Sequence, residues 1–485
     1  MKRVARTTVV CLATLAAALG AGLSAGSSPA ASGNEAVDAV FEPFTRPGSP
    51  GCAVAVYKDG KIAYERGYGL ASLEHDLPIT PASVFYLGSV SKQFTAFAAA
   101  LAIKDGRLSA DDPIRKHLPE LPEYTSKITV RHLLHHTSGL RDYNTLLSIA
   151  GRRGDEAFDN ATVLRITARQ KKLNFEPGSE YLYSNTGYTL LATIVERATK
   201  TPFAQFAAAR IFEPLDMKVT HYHTDETRLV TNRAFAFTRQ GDGVVLDTPN
   251  NERAGAGGVF SSVRDLLNWD ENFYTARVGG REVIEMVQTP GKLNDGSTLN
   301  YAWGLQLGRY RGARLVEHSG SLGGYRAHLM RFPDAHYSLA ALCNLSTSNP
   351  GALLRQVADR TLTSSFTESV PKSGAPAQGG PTGGGRAGRG GTDGAPRAAA
   401  LSSPSDFTGT YYSDEADATF TVTSRDGVLM LQRDSDREAA ELQPGSSGDF
   451  RFRGMTVRFE REGTKVVALN VDAGRVRDIR FVKRS

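Results

Sequence analysis

Cysteine is scarce in this chain, with three among 485 residues. Cys11 falls inside an N-terminal apolar run, which leaves Cys52 and Cys343 for the body of the protein. Two cysteines cannot make a disulfide scaffold, so burial must hold the core together. Both stand in strand-like runs, CAVAVY and LAALC. A bond between them and a pair of buried thiols are both compatible with the sequence. Long apolar stretches are missing too, apart from TTVVCLATLAAALGAGL near the start. Lys2, Arg3 and Arg6 precede that run and the small residues SAGSSPAASG follow it, the order of a secretory signal cut near Ala31. An uncleaved anchor is the alternative, but the run is short and its Ala and Gly make it weakly apolar. A secreted or periplasmic protein, without stable membrane insertion after cleavage, is therefore expected.

Other signatures are absent. There is no Gly-x-Ser-x-Gly elbow, no phosphate loop and no dinucleotide fingerprint. The formal charge of +6 does not form a basic stripe. Part of it sits at the N-terminus and part at Lys372, Arg386, Arg389 and Arg397, so nucleic acid is not an expected partner. The pairs His135-His136 and His221-Tyr-His223 lack acidic companions at metal-site spacing. The reading is of no metal and no other cofactor.

What is present divides the chain into four stretches: the leader 1–31, a mixed helix-and-strand body over 34–366, a linker over 367–400 and an all-β part over 401–485. The body opens with a hairpin pattern, GCAVAVYKDG then KIAYERGYG, and closes with the strand patterns YRAHLMRF and YSLAALCNL. Helical patterning dominates between them, beginning with VSKQFTAFAAALAIKDG. Strands at both ends predict one sheet built from both termini of the body, with a helical subdomain inserted. The linker holds ten glycines and four prolines in 34 residues and almost no large aliphatics, a composition that cannot build a core. Eight strand-like runs with turn residues between them fill the last part, which predicts a small barrel or sandwich.

Three short motifs carry candidate chemistry. In FYLGSVSKQFTA, Ser89 and Lys92 are three apart and share one helix face. A serine hydroxyl needs a base, and a desolvated lysine with a depressed pKa can be one. Helix N-terminal amides favour developing negative charge beside it. In FEPGSEYLYSNTGYTLL, Tyr183 can relay a proton and Asn185 can orient both the lysine and a substrate carbonyl. In VEHSGSLGGYRAHLMRF, His318, Ser319 and Gly320 read as a strand before a Gly-rich turn. Gly320 would let substrate approach closely, and the Ser321 amide could be a second oxyanion donor. Singly, each motif is also ordinary cap, turn or hairpin chemistry.

In their order Ser89-Val-Ser-Lys92, Tyr183-Ser-Asn185 and His318-Ser-Gly320, the motifs resemble the serine β-lactamase and penicillin-binding superfamily. Within it they resemble the class C-like branch of D-alanyl-D-alanine carboxypeptidases, D-aminopeptidases and esterases. The phrases LSADDPIRKHLPE, ITVRHLLHHTSGL and AGAGGVFSSVRDLLNW add to the likeness. The resemblance implies a β-lactamase-like fold, an antiparallel sheet flanked by helices beside an all-helical subdomain with the cleft between them. It implies Ser89 as the acylated nucleophile, Lys92 as its partner and Tyr183 as general base and acid. Asn185 would orient substrate, and the Ser89 and Ser321 amides would form the oxyanion hole. His318 stands where many β-lactamases have the lysine of Lys-Thr-Gly, so weaker carboxylate anchoring and poor cephalosporin hydrolysis follow. The all-β part resembles the lipocalin-like barrels appended to some D-aminopeptidase-like members, with a role in shaping the cleft, binding substrate or supporting a dimer. The expected partner is a peptide or small-molecule substrate: a D-amino-acid peptide, a cell-wall fragment, a small ester or a β-lactam. A catalytically inactive binder of the same fold is the rival reading.

Overall fold

The computed structural model describes residues 33–152, 158–249, 253–368, 404–445 and 447–484. The expected leader 1–31 and nearly all of the expected linker 367–400 lie outside the described residues. Within the strand β1, Cys52–Lys58, every residue to Tyr57 is buried. Alternate side chains of a strand point to opposite faces, and here both faces are covered. Ala53, Ala55 and Tyr57 join the core around the helix Ser91–Lys104. Cys52, Val54 and Val56 meet the terminal helices Gly33–Phe41 and Pro350–Thr361 on the other side.

The hairpin partner of β1 is β2, Lys61–Tyr68, across a turn in which Asp59 and Gly60 take positive φ. Four strands from the end of the body complete the sheet: β3 (Gln306–Tyr310), β4 (Ala313–Leu322), β5 (Tyr325–Phe332) and β6 (Tyr337–Cys343). The order is β3-β4-β5-β6-β1-β2, antiparallel throughout, so the sheet is assembled from both ends of the body as its sequence implied. The join between β1 and β6 places Cys52 opposite Cys343, and the two are bonded. That resolves the choice between a disulfide and two thiols in favour of the disulfide.

The helix Ser91–Lys104 is buried from Ser91 to Ala102, enclosed by the helices Asn185–Thr199 and Gly280–Gln288, with Phe94 and Phe97 against Trp269 of the helix Val263–Thr275. A helix so fully enclosed is apolar on all sides except where a polar group has a partner. Lys92 is its one buried cation.

The C-terminal part is a nine-stranded antiparallel sheet. Seven of the eight expected runs each give one strand; AAELQP gives two, Ala440–Glu441 and Gln443–Pro444. These two are the opposite edges of the sheet and are separated only by the buried Leu442, so the sheet nearly closes into a barrel. Its interior is continuous with the helices Tyr143–Ile149 and Asn160–Ala168: Leu146, Leu147, Val163 and Ile166 share one core with Phe420, Val457 and Phe481. Polar contacts lock the joint. Arg141 and Glu415 form an ion pair with side chains 0% and 6% exposed. Arg141 also donates to the carbonyls of Arg477 (2.9 Å) and Asp478 (3.0 Å). The barrel is therefore seated on the helical subdomain, facing the cleft.

Candidate active site

Ser89 stands in a single 3-10 turn, Gly88–Val90, that runs directly into the helix Ser91–Lys104. Gly88 has φ +54°, and a Cβ there would lie 2.4 Å from Ser321 N. A Cβ on Gly320 would lie 1.9 Å from Leu87 O and 3.0 Å from Ser89 N. Only glycine at both positions lets β4 press against the serine turn, and this brings the Ser89 and Ser321 amides to the same corner of the cleft.

Lys92 is fully buried, with Nζ 3.1 Å from Ser89 Oγ, 2.9 Å from Asn185 Oδ1 and 2.8 Å from Ala256 O. The latter two oxygens can only accept. A neutral amine would donate to both and keep its lone pair for the Ser89 hydroxyl. Burial, first, and the nearby Arg475 guanidinium, second, hold Lys92 well below the ordinary lysine range, with Asp142 pulling the other way. Tyr183 is buried beside it, its ring 4.8 Å from Lys92 Nζ. Burial pushes its phenol up, with the Ser89 hydroxyl and Arg475 pulling the other way, so it stays protonated near neutral pH.

Asn185 opens the helix Asn185–Thr199, capped by Ser184. Its own N–H donates to Asp142 Oδ2 at 2.7 Å. The preceding amide, Ser184 N, donates to His136 Nδ1 at 3.1 Å. His136 thus acts as an acceptor behind the tyrosine, its ring 4.2 Å from that of Tyr183, and burial holds it well below the usual imidazole range. His135, its neighbour, turns elsewhere and packs toward Trp303. Among the described residues no three His, Cys, Asp or Glu side chains gather as a metal would require.

His318 differs from its expected role. Its Nδ1 lies 2.7 Å from Ser319 O and must carry the proton, while Nε2 lies 3.1 Å from the Tyr301 hydroxyl. The ring is 3% exposed, and burial, with Lys92 adding to it, lowers the pKa to about 3. Both nitrogens are engaged inside the protein, so His318 is an uncharged strut under Tyr301 and presents no hydrogen bond to the cleft.

The cleft itself measures about 770 Å³ and opens onto Ser89, Tyr183, Asn185 and Ser321. One wall comes from the barrel, for which shaping the cleft was one of three expected roles, though no barrel residue was singled out. Two barrel turns reach it, one through Arg453 and Met455 and the other through Gly474 and Arg475. Asp142, His136 and Tyr301 were missed as well. His136 lies in the quoted phrase HHTSGL, so a signal existed; nothing local marks Arg475.

Residues 37–364 match the model of the Beta-lactamase family. The chain belongs to that family. Its members are serine hydrolases. Among relatives of this Beta-lactamase-family chain is a D-aminopeptidase of Gluconobacter oxydans (strain 621H), 29% identical over 296 residues. That match covers 61% of this chain and 56% of the relative, so the chain spans little more than half of the relative's length. A penicillin-binding protein of Bacillus subtilis (strain 168) is 31% identical over 308 residues, covering 60% of this chain and 67% of that protein. The structure of an octameric penicillin-binding protein homologue from Pyrococcus abyssi superposes with a TM-score of 0.60 at 22% identity. It covers 93% of this chain and 99% of its own, so the likeness in fold takes in the barrel as well as the body.

Proposed function

We propose that this chain is an exported serine hydrolase that cleaves amide or ester bonds through an acyl-enzyme on Ser89. The observation that carries the reading is the seating of Lys92, fully buried, with two acceptors fixed on its N–H groups and Ser89 Oγ at 3.1 Å. In the acylation step the neutral Lys92 amine takes the Ser89 proton as Oγ bonds to the substrate carbonyl carbon. The carbonyl oxygen gains charge against the Ser89 and Ser321 amides. Tyr183 donates its proton to the leaving nitrogen or oxygen, and the proton held on Lys92 restores it as the carbon–leaving-group bond breaks. Water then repeats the sequence in reverse roles and frees Ser89. The directions of the two pKa shifts favour Lys92 over Tyr183 as the group that accepts the first proton. Asn185 holds Lys92 in register, because its side chain accepts from Nζ while its backbone is tied to Asp142.

The relatives named as D-aminopeptidases support D-amino-acid amides or peptides as the substrate class, with cell-wall fragments and small esters as the other candidates for the same acyl-enzyme chemistry. His318 offers no cation to a substrate carboxylate, so the cations left to meet one are the cleft arginines Arg253, Arg326, Arg453 and Arg475. Export is supported by the N-terminal signal pattern and by the Cys52–Cys343 bond, which suits an oxidising compartment. A panel of p-nitrophenyl butyrate, a D-alanine p-nitroanilide and nitrocefin tests the reading. Turnover of the ester and the D-amide at higher kcat/KM than nitrocefin is expected. Preference for nitrocefin would make the protein a β-lactamase instead, and no turnover of any, with an intact fold, would favour the binder.

A further inference from the structure

The barrel turn Ala473–Gly474–Arg475 is held against the cleft by a clamp. Asn174 donates from Nδ2 to Arg475 O (3.0 Å) and accepts at Oδ1 from Arg477 N (2.8 Å). Asp142 N reaches the same Arg475 carbonyl at 3.4 Å. Arg477 adds a two-pronged pair with Glu180. So fixed, the Arg475 guanidinium lies 4.7 Å from the centre of the Tyr183 ring and 3.9 Å from Asp142 Oδ2, its side chain 18% exposed.

We propose that Arg475 is a positioning residue supplied by the barrel, whose fixed cation on the face of Tyr183 and beside Asp142 keeps the Ser89–Lys92–Tyr183 group in its reactive proton arrangement. The groups packed around Lys92 and Tyr183 are Ser89 from the 3-10 turn, Asp142 and His136 from the helical subdomain, Tyr181, Tyr188, Tyr301, His318 and Arg475. The tyrosines are neutral, and burial keeps both histidines neutral. Arg253, Arg326 and Arg453 also line the cleft, but the charges that act on both Lys92 and Tyr183 are the Asp142 carboxylate and the Arg475 guanidinium. Alone, Asp142 would favour a protonated Lys92, which cannot take the Ser89 proton. Arg475 offsets it, and the same cation favours a phenolate at Tyr183 as that hydroxyl gives up its proton. On this reading the barrel is part of the active site, and separating it from the body would leave the motifs intact but mistuned.

The proposal rests on Lys92 and Tyr183 being the proton-transfer groups, and the test separates the two. The kcat/KM of the full chain is measured against pH with p-nitrophenyl butyrate, which has no carboxylate, for wild type, Arg475→Gln, Arg475→Lys and Asn174→Ala. With Arg475→Gln, both limbs of the profile are expected to move up by roughly one pH unit, with about a tenfold loss on the acid side. Arg475→Lys restores the limbs in large part, and Asn174→Ala, which frees the turn but keeps the charge, moves them partway. Limbs unmoved in Arg475→Gln would overturn the proposal. So would a loss confined to a carboxylate-bearing ester run in parallel, which would make Arg475 a substrate ligand. A loss of activity that tracks unfolding, is equal in Arg475→Lys and leaves the limbs in place would make it a docking residue only. If wild type itself showed no acid limb, or kept its limb in Lys92→Met, the failure would lie in the assignment of Lys92.

Discussion

Replacing Lys92 with Met separates catalysis from stability. Methionine nearly matches the length of the lysine stem and fills the same wholly enclosed space. It removes the N–H groups that serve Asn185 Oδ1 and Ala256 O. Leaving a buried acceptor unpaired costs about 1–3 kcal/mol. Against two such losses stands the relief of no longer enclosing an amine that burial already disfavours in its charged form. The balance is a destabilisation of about 1–3 kcal/mol, a fall in Tm of roughly 2–10 °C for a unit of a few hundred residues. Loss of a general base removes about 10²–10⁴ in rate, or roughly 3–5 kcal/mol of transition-state stabilisation. The expected result is a folded protein with kcat/KM on p-nitrophenyl butyrate down by at least about a hundredfold. Its acid limb, which in wild type reports Lys92 losing its proton below the ordinary lysine range, should vanish with it. Calorimetry and steady-state kinetics on the same preparation make the comparison. A variant within tenfold of wild type, or one that keeps the limb, would refute Lys92 as the base.

Three further outcomes follow from the same geometry. His318→Lys places a buried, unpaired ammonium next to the Lys92 amine in a closed site, so it should lower Tm and activity on every substrate, without improving nitrocefin turnover; a selective gain on nitrocefin would show that the side chain reaches the cleft. Glu415→Leu strands the buried Arg141 cation and should cost about 3–5 kcal/mol, read as early loosening of the barrel under limited proteolysis together with loss of activity; unchanged proteolysis would mean the joint does not depend on that pair. Reduction of Cys52–Cys343, or the Cys52→Ser, Cys343→Ser double variant, should lower stability by about 2–5 kcal/mol while leaving kcat little changed, since the bond lies on the sheet face away from the serine turn; thermal unfolding with and without reductant reads it.

The elements nearest the chemistry were legible because they are local. Ser89 and Lys92 sit one turn apart, Tyr183 and Asn185 flank a helix start, and the Gly320 turn lies on one strand, so short spacing carried them. The hairpin of β1 and β2 and the closing strands could be read from apolar runs and turn residues for the same reason. What escaped depends on contacts across hundreds of residues. Arg475 meets Tyr183 only because the barrel docks, and the docking residues Arg141 and Glu415 look like ordinary surface charges in sequence. His318 misled in a different way. Its position in the motif is that of a substrate contact, but its rotamer and tautomer are set by Ser319 O and Tyr301, and no sequence spacing reports a tautomer. The splitting of AAELQP into two edge strands was hidden because a corner at a buried leucine leaves no turn residue.

Covalent labelling of Ser89 tests the central claim most directly. The full chain is treated with a fluorophosphonate, its intact mass is recorded, and the modified peptide is sequenced. Ser89 Oγ meets Lys92 Nζ at 3.1 Å and holds neither cap position, which fall to Leu87 and Val90, so Ser89→Ala should remain folded and serves as the control. The expected result is a single adduct on Ser89, absent from Ser89→Ala at matched Tm. An adduct on another residue, or equal labelling of wild type and Ser89→Ala, would contradict the assignment of Ser89 as the nucleophile.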